Sequence, residues 1–269
     1  MYIANKPIKR SKLRLLLGKK YYMYKRYIRW IFHRKDYSRE IFNTQLTYEV
    51  YRHKTPLLRE LKGVDMYLQY NKITNLRLAI KKVNGIIIKP KETFSYWRLI
   101  GKPSYKKGYK DGLVLRGDGT FEAGVGGGLC QLSNLIYWIA LHTPLHVTER
   151  YRHSHDIFPD SNRTQPFGSG ATCVYNYFDL QIYNPTDKNF QLILYIDDGM
   201  LNGQWRCNEE IYFNYEIYEK EHRITPTFWG KYMRSNSIFR RIYDGQKNFI
   251  KEEFIAENHA IMMYEPLIE

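Results

Sequence analysis

The chain has 269 residues, enough to bury a substantial core and to form one or two domains. A hydrophobic content of 43% excludes an extended disordered chain. Three cysteines with no CxxC pair exclude a zinc ribbon or a disulfide-built scaffold. The net charge of +15 is concentrated, because residues 1–39 hold thirteen Lys or Arg against one acid, Asp36.

The expected fold class is α+β, with helices packed on an antiparallel or mixed sheet. Residues 1–62 form a first zone, basic at its start and helical in pattern, with Pro56 as breaker. Its aromatics (Tyr21, Tyr22, Tyr24, Tyr27, Trp30 and Phe32) alternate with Lys25, Arg26 and Arg29. That pattern suits a helix lying on a membrane interface, or one packing its aromatics on the domain. No apolar run reaches the roughly 20 residues of a membrane span. Leu15 to Leu17 is cut off by Gly18 and two lysines, which leaves a poor signal-peptide core. The chain is therefore expected in the cytoplasm, with peripheral contact at the inner face of the membrane through residues 1–39. A nucleic-acid partner rests on charge alone and is disfavoured without a recognisable binding fold.

A compact zone from 63 to 207 follows. Asn71 is the expected cap of a helix whose apolar positions are Ile73, Leu76, Ile80 and Val83, closed by Gly85. Ile86 to Ile88 read as a short buried strand ended by Pro90. Segment 101–128 reads as turns around one strand, Leu113 to Leu115. The clearest helix carries Leu132, Leu135, Ile136, Ile139 and Ala140 on one stripe and is stopped by Pro144. Strands are expected at His146 to Glu149, at 171–183 and at 189–196. The turn Asp197-Asp198-Gly199 leads into another ending near Cys207. Residues 208–269 mix strand-like runs with turns such as Asp244-Gly245 and form an extension packed on the core. Cys173 and Cys207 read as structural thiols or an incidental pair.

Four of the five residues from Gly124 to Gly128 are glycine, directly before the patterned helix. Such a cluster serves forbidden backbone angles or the close approach of a ligand. Neither a Gly-Lys-Ser/Thr run nor a GxGxxG spacing is present to make it a phosphate loop. Cys130 stands at the start of this central helix, where unpaired N–H groups and the helix dipole favour a thiolate. The N–H groups of Cys130 and Gln131 are placed to hold an oxyanion. His153 and His155 are the close histidine pair, on one face if the segment is a strand, and His153 is the candidate base. Two histidines without a third clear ligand do not make a metal site, so neither a metal nor another cofactor is expected.

Several motifs in order resemble the VanW family: Lys89-Pro90-Lys91-Glu92-Thr93-Phe94-Ser95, then Tyr109-Lys110-Asp111-Gly112, then Gly126-Gly127-Gly128-Leu129-Cys130-Gln131-Leu132-Ser133. Glu149-Arg150 with His153-Ser154, Ala171-Thr172, and Phe178-Asp179-Leu180 with Asn184 and Thr186 continue the match over about 65–200. Asn134, Tyr137-Trp138, His142-Thr143-Pro144-Leu145 and the ending Asn258 to Pro266 extend it. The resemblance implies a role at the bacterial envelope in glycopeptide resistance. Some multidomain relatives look like L,D-transpeptidases, which act through a cysteine acyl-enzyme. Carried over, Cys130 would be the nucleophile and His153 the base. Gly126, Gly127, Gly128, Gln131 and Ser133 would line the substrate site. Where relatives read Gly-x-Asp-Ala-Thr, this chain has Gly168-Ser169-Gly170-Ala171-Thr172, so Glu149 or Asp179 would have to orient the histidine. The expected partner is a peptidoglycan stem peptide or its precursor. The expected activity is cysteine-dependent acyl transfer or peptidase action; the alternative is a non-catalytic accessory that binds a wall precursor or a resistance protein.

Overall fold

A computed structural model describes residues 10–58, 64–116, 119–157 and 165–265. The first nine residues of the basic segment, the 62/63 zone boundary and Pro266 lie outside the described residues. Helix α1 (Lys12–Phe32) opens the described chain, with Ser11 capping its first turn through Arg14 N. The expected helical zone does not continue to Pro56. Tyr48–Pro56 is strand β1, paired antiparallel with a strand roughly 150 residues further on. Its Tyr-Glu-Val-Tyr-Arg-His run has the β-branched and aromatic content that a half-covered edge strand takes.

Helix α2 (Met66–Val83) begins after Asp65 and not at Asn71, which lies inside it. It buries Leu76, Ala79, Ile80 and Val83, while Ile73 is half-buried; Gly85 follows in the left-handed conformation. Next come β2 (Ile87–Ile88), β3 (Thr93–Ser95), α3 (Tyr96–Ile100) and β4 (Asp111–Leu115). A strand missed in sequence, β5 (Phe121–Val125), pairs with β4 as a hairpin. Helix α4 (Cys130–Leu141) then buries Leu132, Leu135, Ile136 and Ile139. Each such side chain contributes about 1.5–3 kcal/mol.

After α4 come β6 (His146–Glu149), β7 (His155–Asp156), β8 (Gln181–Tyr183), β9 (Phe190–Asp197) and β10 (Met200–Cys207). The order β1-β10-β9-β2 makes the central sheet, against which α2 and α4 pack. Gly203 of β10 gives α4 room, since a Cβ there would stand 3.0 Å from Leu135. A smaller sheet, β3-β8-β6, carries the segment between α4 and the central sheet.

Segment 171–180, expected as strand, is irregular except for a bridge between Val174 and Phe178 around Asn176, whose φ is +53°. Its backbone is held by side chains of α4 in place of a ladder. Ala171 N donates to Asn134 Oδ1 (2.7 Å) and Ala171 O accepts from Ser133 Oγ (2.7 Å).

The C-terminal segment is a meander of β11 (Asn214–Pro226), β12 (Tyr232–Tyr243) and β13 (Phe249–Met262), with β7 added in parallel to β13. The sheets are therefore antiparallel and mixed, and the fold is α+β. Alternate residues of β12 are buried, and Arg240 among them donates to Leu141 O (3.1 Å) and Thr143 O (2.9 Å) at the end of α4. Glu253 pairs with the same guanidinium. A cation at unpaired helix-terminal carbonyls is favourable. Among the described residues, no helix is long and apolar enough to cross a membrane.

Candidate functional site

The glycine turn before α4 is explained largely by packing of the chain on itself. Gly126 and Gly128 have φ of +77° and +89°. A Cβ on Gly127 would run into the backbone of Gly112, and one on Gly128 into the stem of Lys72. Polar residues of α2 fix the turn from below: Asn75 Nδ2 donates to Lys110 O (3.0 Å) and Gly127 O (2.9 Å), and Asn71 Nδ2 to Asp111 O (2.9 Å). The turn is therefore locked between α2 and β4, and it delivers Cys130 to the first position of α4.

Cys130 is half-buried and its Sγ–H donates to Cys173 O at 3.6 Å. Burial pushes the thiol above its ordinary value, partly opposed by backbone hydrogen bonds. The thiolate expected at this helix terminus is thus disfavoured. A helix terminus contributes about 0.3–1 kcal/mol, whereas burying an unpaired charge costs several times that. Gln131 N, the second expected oxyanion donor, is engaged with Gly128 O at 3.0 Å. The Gln131 side chain turns to β1, donating to Pro56 O (2.7 Å) and Thr55 Oγ1 (3.2 Å). Ser133 is fully buried and bonds the loop at Ala171.

His153 precedes β7 and does not lie on a strand; only His155 and Asp156 are paired, so the shared strand face expected for the two histidines is not formed. Burial, with Arg152 and His155 nearby, draws His153 down to about 4, so its ring is neutral at pH 7. No hydrogen bond among the described residues joins His153 to Cys130, Glu149 or Asp179. Among the described residues no group of three or more His, Cys, Asp or Glu is arranged to hold a metal ion.

Asp179 and Glu149 converge instead on a residue from α1. Arg26 donates to Glu149 Oε2 (2.8 Å) and Oε1 (2.5 Å) and to Tyr177 O (3.3 Å), and its Nη1 lies 3.6 Å from Asp179 Oδ2. Asp179 is fully buried and accepts from Ser95 Oγ (2.6 Å), Trp97 N (2.9 Å) and Gln181 Nε2 (3.2 Å). Burial pushes its carboxyl up to about 6 against the downward pull of Ser95 and Arg26, so it is ionised at pH 7 and above. Burial lowers the Arg26 guanidinium, but Glu149 and Asp179 more than restore it, and the net direction is upward.

Residues 71–206, just over half of the chain, match the family described as VanW like protein. The chain belongs to the VanW family. It is 38% identical over 181 residues to vancomycin B-type resistance protein VanW of Enterococcus faecalis, which covers 67% of this chain and 66% of that protein. It is also 31% identical over 83 residues to the uncharacterized protein YoaR of Bacillus subtilis, covering 31% of this chain and 27% of that one. The chain thus spans just under two thirds of the first relative and about a quarter of the second. No solved structure matches it.

The VanW-matched segment contains Ser95, Cys130, Glu149, His153 and Asp179, while Arg26 lies outside it. Within this VanW-family chain, Gly170 makes room for a neighbour: a Cβ there would stand 2.9 Å from Asn134 Oδ1, the atom that holds Ala171 N. Glu149 and Asp179 were named as orienting groups for His153, and they are brought together, but around Arg26. Sequence inspection missed Arg26, Ser95, Trp97 and Cys173. Ser95 ends the Lys89–Ser95 motif and Trp97 follows just after it; Arg26 carries no signal that separates it from the other bases of α1.

Proposed function

We propose that this VanW-family chain is a glycopeptide-resistance-associated accessory of the cell wall. In this reading it binds a peptidoglycan stem peptide or its precursor beside the Cys130 turn without forming a covalent intermediate. The observation that carries this choice is the hydrogen bond from the Cys130 thiol to the Cys173 carbonyl, in a site where no base among the described residues is joined to the sulfur. A proton held in that way makes a polar contact and not a nucleophile. The named relative supplies the association with vancomycin resistance, and the envelope context of the family supplies the ligand class.

A second reading keeps Cys130 as nucleophile with His153 as base, in acyl transfer of the L,D-transpeptidase kind or in peptide cleavage. It draws on the thiol's place at the N-terminus of α4, and it requires the sulfur to leave Cys173 O and a neutral imidazole to reach it. The two readings separate in one pair of measurements. Purified wild type, Cys130→Ser and Cys130→Ala are titrated with a synthetic stem pentapeptide by calorimetry, and incubated with muropeptides under reducing conditions. Binding retained within about threefold by Cys130→Ser, with no exchanged or cleaved product from any protein, supports the accessory. Products formed by wild type and absent with Cys130→Ala would replace it with the acyltransferase.

A further inference from the structure

Helix α1 is built with two working faces. One side is docked on the domain. Arg26 reaches Glu149, Tyr27 OH meets Tyr175 OH at 2.9 Å, Met23 O accepts from Asn176 Nδ2 at 3.3 Å, and Trp30 packs on the core. Successive helix positions advance by about 100°, so Met23, Arg26, Tyr27 and Trp30 share one face. Leu13, Leu17, Tyr24, Ile28 and Ile31 share a second, uncovered face about 115° around the helix from the first, at the spacing of an apolar stripe. They are 65%, 57%, 64%, 54% and 71% exposed, and Phe32 beside them is 80% exposed. Lys20 borders one edge of this stripe, and Arg14, Lys25 and Arg29 the other. The helix of 21 residues contains no acid.

We infer that α1 binds the surface of an anionic lipid bilayer, lying flat with this outward stripe among the acyl-chain boundary and its flanking bases on the headgroups. A soluble helix docked through one face normally leaves its uncovered faces polar, and here one of them is an exposed apolar stripe. The charge complements an anionic surface, to which each base near the interface adds attraction. The charge content is also far too high for a helix that spans, so the chemistry is interfacial. Because Arg26 clamps α1 to Glu149 and Asp179, the bound helix would hold the whole domain at the surface. This inference is independent of whether Cys130 is catalytic.

The test is flotation of the full chain with vesicles of 30% phosphatidylglycerol in phosphatidylcholine and with pure phosphatidylcholine. A stripe variant (Leu17→Ser, Tyr24→Ser, Ile28→Ser) and a charge variant (Arg14→Gln, Lys20→Gln, Lys25→Gln) run in parallel. All six positions are exposed, so circular dichroism and thermal midpoint should match wild type. Expected is flotation of wild type on anionic vesicles, at least tenfold weaker on neutral ones and weakened by salt. At least tenfold loss is expected in either variant. Absence of wild-type flotation, or equal flotation of the stripe variant, overturns the inference. So does sedimentation showing that the stripe holds two copies of the chain together while lipid binding is absent.

Discussion

Cys130 meets the loop 171–180 near its start, at Cys173, and Asp179 lies near its end. The two groups face the same problem of burial and resolve it differently. The thiol keeps its proton and donates a hydrogen bond to a carbonyl, while Asp179 ionises among a hydroxyl, a backbone N–H and a guanidinium. A motif made conspicuous by glycine and cysteine can therefore be electrically quiet. The charged centre can sit in residues that look ordinary in sequence.

The sharpest way to break this contrast is to remove the cation. Arg26→Met leaves the buried Asp179 and the half-buried Glu149 without their cation and should cost about 3 kcal/mol in urea denaturation, with α1 newly sensitive to protease. Adding Asp179→Asn should recover part of the loss. A cost under about 0.5 kcal/mol would mean that Arg26 only decorates the surface.

Gly127→Ala tests the other member of the pair at its support. The new methyl meets the Gly112 backbone, and a shift of the β4 strand should cost about 1–3 kcal/mol. Gly124→Ala is the control, because its Cβ would meet only the Val114 side chain, at 3.1 Å.

Acid stability sharpens the comparison further. Burial draws His142, stacked on Tyr51, down to about 4 from an ordinary 6.5. The unfolded chain then takes the proton first, so this contribution is present above pH 6.5 and is lost as pH falls toward 4. His153 has the same sign. Asp179, raised to about 6, has the opposite one: its contribution is present below about pH 4 and is lost as pH rises through 6. His142→Leu should flatten the acid loss between pH 6.5 and 4 by about 3 kcal/mol, and Asp179→Asn should steepen it. Denaturation midpoints across that range read both slopes.

The smallest effect belongs to the residue most conspicuous in sequence. Cys130→Ser should change stability by no more than about 1 kcal/mol, and the Cys130 thiol should alkylate more slowly at pH 7.5 than a free cysteine. Rapid alkylation would restore the thiolate and bring the two sites into line.

What was legible in the sequence was local. The α4 stripe from Leu132 to Ala140, the turn at Asp198-Gly199 between β9 and β10, and the turn at Asp244-Gly245 all carry their signals within a few residues. The family resemblance located Glu149 and Asp179 as well. Nothing local shows that Tyr48 to Pro56 will pair with β10, because strand content without its partner resembles any mixed polar run. Segment 171–180 misled for a related reason. Its backbone partners, Ser133 and Asn134, lie on a helix about 40 residues earlier, and side chains on a helix take the place of a neighbouring strand. Arg26 was illegible because its meaning depends on two carboxylates more than a hundred residues away.

Arg240 ties the end of α4 to the last sheet, and this sets an order on synthesis. The carbonyl of Leu141 must wait 99 residues for its donor to be made. At about 5–20 residues per second, a nascent chain carries the Cys130 helix without the donor for its Leu141 and Thr143 carbonyls for several seconds. Glu253 arrives later still to complete the pair. The last carbonyls of the central helix are therefore capped only when β12 and β13 have left the ribosome, so a product stalled before them would retain the family motifs without their closing contact.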